Sequence, residues 1–152
     1  MPFRVEKLRE RLAAVERLNL WHPPPALEPL LRQAVQLAAP DPVSLRVCHG
    51  DLHLRHLLVD EGGELSGVID WIDVCRADPA IDLPLYWGYL SPAAREAFCA
   101  EYGPIAADGL LRARVLAVFL WGVLAEYAGD VGMEALGREA VAGLERATAD
   151  LA

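Results

Sequence analysis

Basic residues, cysteines and long apolar runs are all scarce in this sequence, and each shortage excludes a class of function. Lysine and arginine number 14 against 22 aspartates and glutamates, a formal net charge of −8. Such a surface repels a phosphate backbone, which argues against nucleic acid or an anionic membrane as partner and permits a cationic small molecule. The three cysteines, Cys48, Cys75 and Cys99, form an odd set with no CxxC pair. They read as free, mostly buried thiols in a reducing cytoplasm. The most apolar run, Val115–Ala125, is flanked by Arg112, Arg114 and Glu126. It suits a buried helix and is too short to span a bilayer. Phe3–Glu16 is charged throughout, unlike a secretory leader, and no internal repeat or low-complexity tract interrupts the chain.

What is present is enough for a folded core: 152 residues, 54% hydrophobic and 24% charged. One domain over 1–152 is expected, with leading helices over 1–44, a loop and hairpin over 45–83, and a helical subdomain over 84–152. Leu8, Leu12, Val15 and Leu18 line one face of a helix from Val5 to Leu18. Pro23-Pro24-Pro25 stops it, and a second helix runs from Ala26 to Ala39, ended by Pro40-Asp41-Pro42. Leu45–Cys48 is a short apolar run leading into the polar loop His49-Gly50-Asp51. Leu57-Leu58-Val59 and Val68-Ile69 read as two strands joined around Glu61–Glu64. Ser91-Pro92 starts a helix with a capping hydroxyl, and Gly103-Pro104 precedes a long buried helix near Leu110–Ala128. Gly129–Gly132 turns the chain into a last helix over Met133–Leu151. The fold class is mostly α with a small β-hairpin (α+β). Polar residues concentrate at that hairpin, so function is expected there.

Between residues 49 and 82 lie His49, His53 and His56 together with Asp51, Asp70, Asp73, Asp78 and Asp82. They alternate with apolar segments, which holds them at strand ends rather than in a solvated charge run. A carboxylate on a tight loop beside a second at a strand end suits phosphoryl transfer. One takes the proton of an acceptor hydroxyl while the other holds a divalent ion, and a side chain five residues after the first can return to that ion. The same cluster admits plainer readings, as turn and cap residues, and a rival one. His-x-Asp-x-His spacing could collect a metal, so a metal-dependent hydrolase using His49, Asp51, His53, His56 and Asp70 stays open.

Three blocks carry a resemblance. His49-Gly50-Asp51-Leu52-His53-Leu54-Arg55-His56-Leu57-Leu58-Val59, then Gly67-Val68-Ile69-Asp70-Trp71, then Ala77-Asp78-Pro79-Ala80-Ile81-Asp82-Leu83 resemble the signature of aminoglycoside-phosphotransferase-like small-molecule kinases. That family shares the C-terminal lobe of protein kinases. The resemblance implies ATP and Mg2+ as cofactors, a hydroxylated small molecule as substrate, and antibiotics such as aminoglycosides or macrolides among the acceptors. It implies Asp51 as the catalytic base, and Asp70 with His56 as metal ligands. His56 stands where most members have asparagine, and some macrolide-modifying relatives also carry histidine. His49 and Asp82 are implied as supports of the catalytic loop. From the residues themselves, His53 reads either as lining the substrate or phosphate side or as packing at the loop surface, and Asp73 either as facing the substrate side or as a solvated turn carboxylate. Trp71, Tyr86, Trp87 and Tyr89 read as packed aromatics.

A complete enzyme of this kind also needs an N-terminal lobe with a glycine-rich turn and a strand lysine. The chain has no glycine before Gly50, and its only lysine is Lys7, in a charged helix. The nucleotide lobe is therefore expected to be absent, leaving either a truncated C-terminal lobe or a non-catalytic pseudokinase or binding module. A lobe without its partner would expose apolar surface, and a homodimer is one way to cover it.

Overall fold

Apolar residues at helical spacing build most of this chain, and the computed structural model describes residues 1–151. Helix α1 (Pro2–Arg17) buries Val5, Leu8, Leu12 and Val15 on one face. It begins three residues before the expected Val5, because proline at the first turn has no N–H to leave unpaired. Leu18 lies past the last helical residue and is half-exposed, so it does not extend that face. Helix α2 (Leu27–Val35) is shorter than the expected 26–39. Only Leu27, Leu31 and Ala34 are buried along it, and Pro40 disfavours helical backbone at the residue before it.

Helix α3 (Pro84–Gly88) and helix α4 (Pro92–Tyr102) follow, the second capped by Ser91 Oγ accepting the Ala94 N–H at 3.2 Å. Helix α5 (Ala107–Val131) is the central element, and α6 (Glu134–Thr148) lies along it. The α5 helix continues through Gly129, and the turn expected at 129–132 narrows to Gly132, at φ 70°. Trp121 on α5 is fully buried among Val118, Leu124, Leu144 and Leu8. Gly88 and Gly143 permit this, since a Cβ at either position would overlap the Trp121 indole.

The β structure exceeds the single hairpin expected. Strands β2 (Leu57–Val59) and β3 (Leu65–Val68) form that hairpin, with Leu57 opposite Val68 and an irregularity after Leu58. Asp60 closes its turn, its Oδ1 accepting the Gly62 and Glu64 N–H groups at 2.9 and 3.0 Å. The second strand therefore starts at Leu65, ahead of the expected Val68. Strands β1 (Arg46–Cys48) and β4 (Cys75–Ala77) make a second antiparallel pair, with Arg46 opposite Ala77 and Cys48 opposite Cys75. Three-residue strands are too brief to display a period of two. The thiols also differ from expectation: Cys48 is buried, Cys99 is intermediate and Cys75 is exposed. Among the described residues, no helix is long and apolar enough to cross a membrane.

Candidate active site

Strand β1 ends at Cys48 and releases the chain into His49-Gly50-Asp51. Gly50 is the pivot: its φ is 92°, and a Cβ there would overlap the Asp73 carbonyl. Glycine satisfies both the backbone angle and the close approach. One carboxylate then holds two successive amides, Asp82 Oδ2 accepting the His49 N–H at 2.6 Å and Oδ1 the Gly50 N–H at 2.9 Å. Asp82 ends a short turn, Pro79–Asp82, that Asp78 begins by accepting the Ala80 N–H at 3.0 Å. Asp78 is in turn clamped by Arg112 Nε of α5 at 2.5 Å. The loop is thus tied, bond by bond, to the central helix.

His49 is buried and joins this loop to the next one. Its Nε2 donates to the Ile69 carbonyl at 2.8 Å, which leaves Nδ1 to accept the Asp51 N–H at 3.3 Å. Both nitrogens are engaged, with the N–H placed on Nε2, a tautomer assigned from these partners. Ile69 immediately precedes Asp70, whose backbone is left-handed at φ 65°, ψ 55°. A non-glycine residue in that region is uncommon and turns its side chain sharply out of the strand direction.

The two carboxylates meet across one imidazole. His56 Nδ1 donates to the Asp51 carbonyl at 2.8 Å, so its Nε2 carries either a lone pair or a second proton, and Nε2 lies 3.4 Å from Asp70 Oδ2. Asp51 Oδ2 lies 4.0 Å from His56 Nδ1 and 3.7 Å from His53 Nε2. One ligand atom each from Asp51, His53 and His56 falls within 4.8 Å of the others. The carboxylates open outward, with Asp51 and Asp70 side chains 47% and 54% exposed. His53 is buried, its ring 3.8 Å from that of His56, and its Nδ1 has no hydrogen-bond partner. Burial, reinforced by His56, holds its pKa below the ordinary 6.5, so His53 is neutral near pH 7.

A family model described as the phosphotransferase enzyme family matches residues 1–127. The chain belongs to that family. A 38-residue stretch is 50% identical to the uncharacterized protein YcbJ of Bacillus subtilis (strain 168). That stretch is 25% of this chain and 12% of YcbJ, so the match spans a small part of that protein's length. No solved structure matches.

Phosphotransferases of this family generally use ATP and Mg2+. The donor set around His56 fits a cation: a lone pair on Nε2 facing a carboxylate oxygen at 3.4 Å is repulsive until a proton or a metal ion intervenes. A carboxylate oxygen such as those of Asp70 is the donor type that Mg2+ prefers, while imidazole is better suited to softer divalent ions. No lysine lies in this loop cluster. Lys7 lies on α1 and pairs with Glu10 at 2.7 Å.

All seven residues singled out from the sequence lie on two adjoining loops and the turn that braces them. Asp73 is exposed and brings its backbone carbonyl against Gly50. Trp71 is no packed aromatic: it is half-exposed, its ring 4.7 Å from His49 and its Nε1 donating to the Val68 carbonyl at 2.9 Å. Tyr89 is likewise half-exposed, whereas Trp87 is partly buried and donates to the Leu110 carbonyl at 3.0 Å. Sequence reasoning missed Arg112 as the anchor of Asp78. Its only signal was a cation beside an apolar run, which reads as a helix flank.

Proposed function

We propose that this chain is the catalytic lobe of an ATP-dependent O-phosphotransferase that acts on a hydroxyl of a small molecule, with aminoglycosides and macrolides as acceptor classes. It takes residues 1–152 as one domain resembling the C-terminal lobe of a protein kinase. Family membership supports the reaction class, and one observation carries the assignment of roles: Asp51 and Asp70 flank the same imidazole, His56. In this reading Asp51 orients the acceptor hydroxyl and accepts its proton. Asp70 and His56 would hold the divalent ion, which when bound neutralises charge on the nucleotide phosphates. His49 and Asp82 keep the Asp51 loop in register with Asp70. His53 and Asp73 lie toward the substrate side.

The test is phosphate transfer from ATP to a panel of hydroxylated acceptors, read as the mass gain of one phosphoryl group. Transfer that Asp51→Asn removes supports the assignment, and undiminished transfer in that variant overturns the choice of base. With no lysine in the loop cluster, the isolated chain is expected to bind Mg-ATP more weakly than micromolar, which calorimetry measures directly.

A second reading is favoured by the convergence of Asp51, His53 and His56: a metal-dependent hydrolase. Stoichiometric zinc or iron in the purified protein, with hydrolysis and no phosphoryl transfer, would decide for it.

A further inference from the structure

Cys48 and Cys75 stand directly opposite each other in the antiparallel β1–β4 pair. Directly opposed residues of such a pair project to the same face, with Cα atoms about 4.5–5.5 Å apart. That separation falls inside the roughly 4.4–6.8 Å range that a disulfide bridges. Both thiols are free, and their surroundings differ. Cys48 is 3% exposed and its Sγ leans on the carbonyls of Arg46 and Ala77, at 3.5 and 3.6 Å. Cys75 is exposed to solvent. Because Cys48 Sγ sits over Ala77, one pleat beyond its partner, closing the bond calls for rotation of a side chain rather than a shift of the strand.

We propose that Cys48 and Cys75 form a reversible cross-strand disulfide under peroxide, making the β1–β4 pair an oxidation-sensitive clamp on the two loops it joins. Cys75 reacts first, since it is the accessible thiol; burial pushes the Cys48 thiol up and makes it the poorer nucleophile. The Cys75 thiolate attacks one peroxide oxygen, the O–O bond breaks, and the departing hydroxide takes up a proton as water. The resulting sulfenic acid is attacked by Cys48; the S–O bond breaks and a second water leaves with the Cys48 proton. Two thiols are oxidised to one disulfide while one peroxide is reduced to two waters.

The position gives this bond a consequence. β1 runs directly into His49-Gly50-Asp51, and β4 follows the Trp71–Asp73 turn whose Asp73 carbonyl lies against Gly50. A covalent link at Cys48–Cys75 ties together the ends of both loops. The inference rests on strand register and does not depend on the phosphotransferase reading.

The test uses the reduced full chain, treated with graded hydrogen peroxide and digested without reduction. Mass spectrometry is expected to find the Cys48 and Cys75 peptides joined with the loss of two hydrogens. Two of the three thiols disappear, Cys99 stays alkylatable, and dithiothreitol restores all three. Cys75→Ser abolishes the linkage and, being at an exposed position, keeps the circular dichroism spectrum; Cys99→Ser leaves the linkage intact. Hydrogen exchange at the amides of residues 49–51 slows several-fold in the oxidised form. The proposal is overturned if Cys48 remains alkylatable while Cys75 passes to sulfinic acid, or if linkage runs through Cys99 or a second chain. Unchanged exchange at 49–51 overturns the clamp.

Discussion

The helical body and the loop site of this molecule are held together by different forces. In the body, α1, α5 and α6 bury apolar side chains around Trp121, and two glycines stand where any side chain would collide with the indole. Around the site, strands are three or four residues long, and Val47, Ile72 and Val59 are largely exposed. There the geometry comes from Asp82 gripping two amides, His49 bridging two loops and Asp70 held in a left-handed conformation. Apolar packing is tolerant in direction and large in energy. Charge-assisted hydrogen bonds are directional, and each contributes modestly. The body thus supplies stability and the site supplies orientation, with Arg112–Asp78 as the join between them.

Substitutions that separate orientation from stability test this division. The largest effect expected is on chemistry: Asp51→Asn should lower phosphoryl transfer by roughly 10²–10⁴-fold. Its melting temperature should barely move, because the Asp51 side chain is 47% exposed. A melting shift as large as the loss of activity would break the comparison. In the body, Trp121→Ala should cost about 3–5 kcal/mol, measured by urea unfolding, since it empties a fully buried site. Asp82→Ala lies on the border and should affect both properties. It strips acceptors from the His49 and Gly50 amides, at about 1–3 kcal/mol for each donor left unsatisfied. Loss of activity larger than the loss of stability would place Asp82 with the site, and the reverse would place it with the body.

A smaller effect should appear with pH. The folded chain keeps His53 neutral below the ordinary 6.5, whereas the unfolded chain protonates it there. The unfolded state therefore binds more protons between the folded pKa and 6.5, so stability rises with pH across that window and levels off above it. Urea titrations at several pH values, repeated on His53→Gln, should show the slope diminish in the variant. An identical slope in both would sink the assignment to His53. Smallest of all, Lys7→Ala should leave transfer and melting unchanged, because this lysine is exposed and its hydrogen bond goes to Glu10 on the same helix. A loss of activity there would mean that α1 contributes to nucleotide binding after all.

Much of the site is legible in the order of residues alone, because its members cluster within one stretch of chain. His49-Gly50-Asp51 follows an apolar run, and Asp70 ends another. The hairpin between Leu57 and Val68 is legible for the same reason, its turn marked by Gly62-Gly63. The β1–β4 pair is not: its strands carry three residues each, and the pairing joins positions separated by the entire hairpin. Leu18 departs from expectation because periodicity assigns a face without knowing where the element ends, and Trp71 because an apolar residue type does not tell whether the turn that carries it is covered.

The pattern of residues along the chain determined which groups are candidates for chemistry and which helices bury a face, since both depend on side-chain type and local spacing. Tertiary structure alone decided that His56 stands between Asp51 and Asp70, that Arg112 anchors the loop through Asp78, and that Cys48 faces Cys75. The His56–Asp70, Arg112–Asp78 and Cys48–Cys75 contacts each join separate elements, and their geometry is set by how those segments pack.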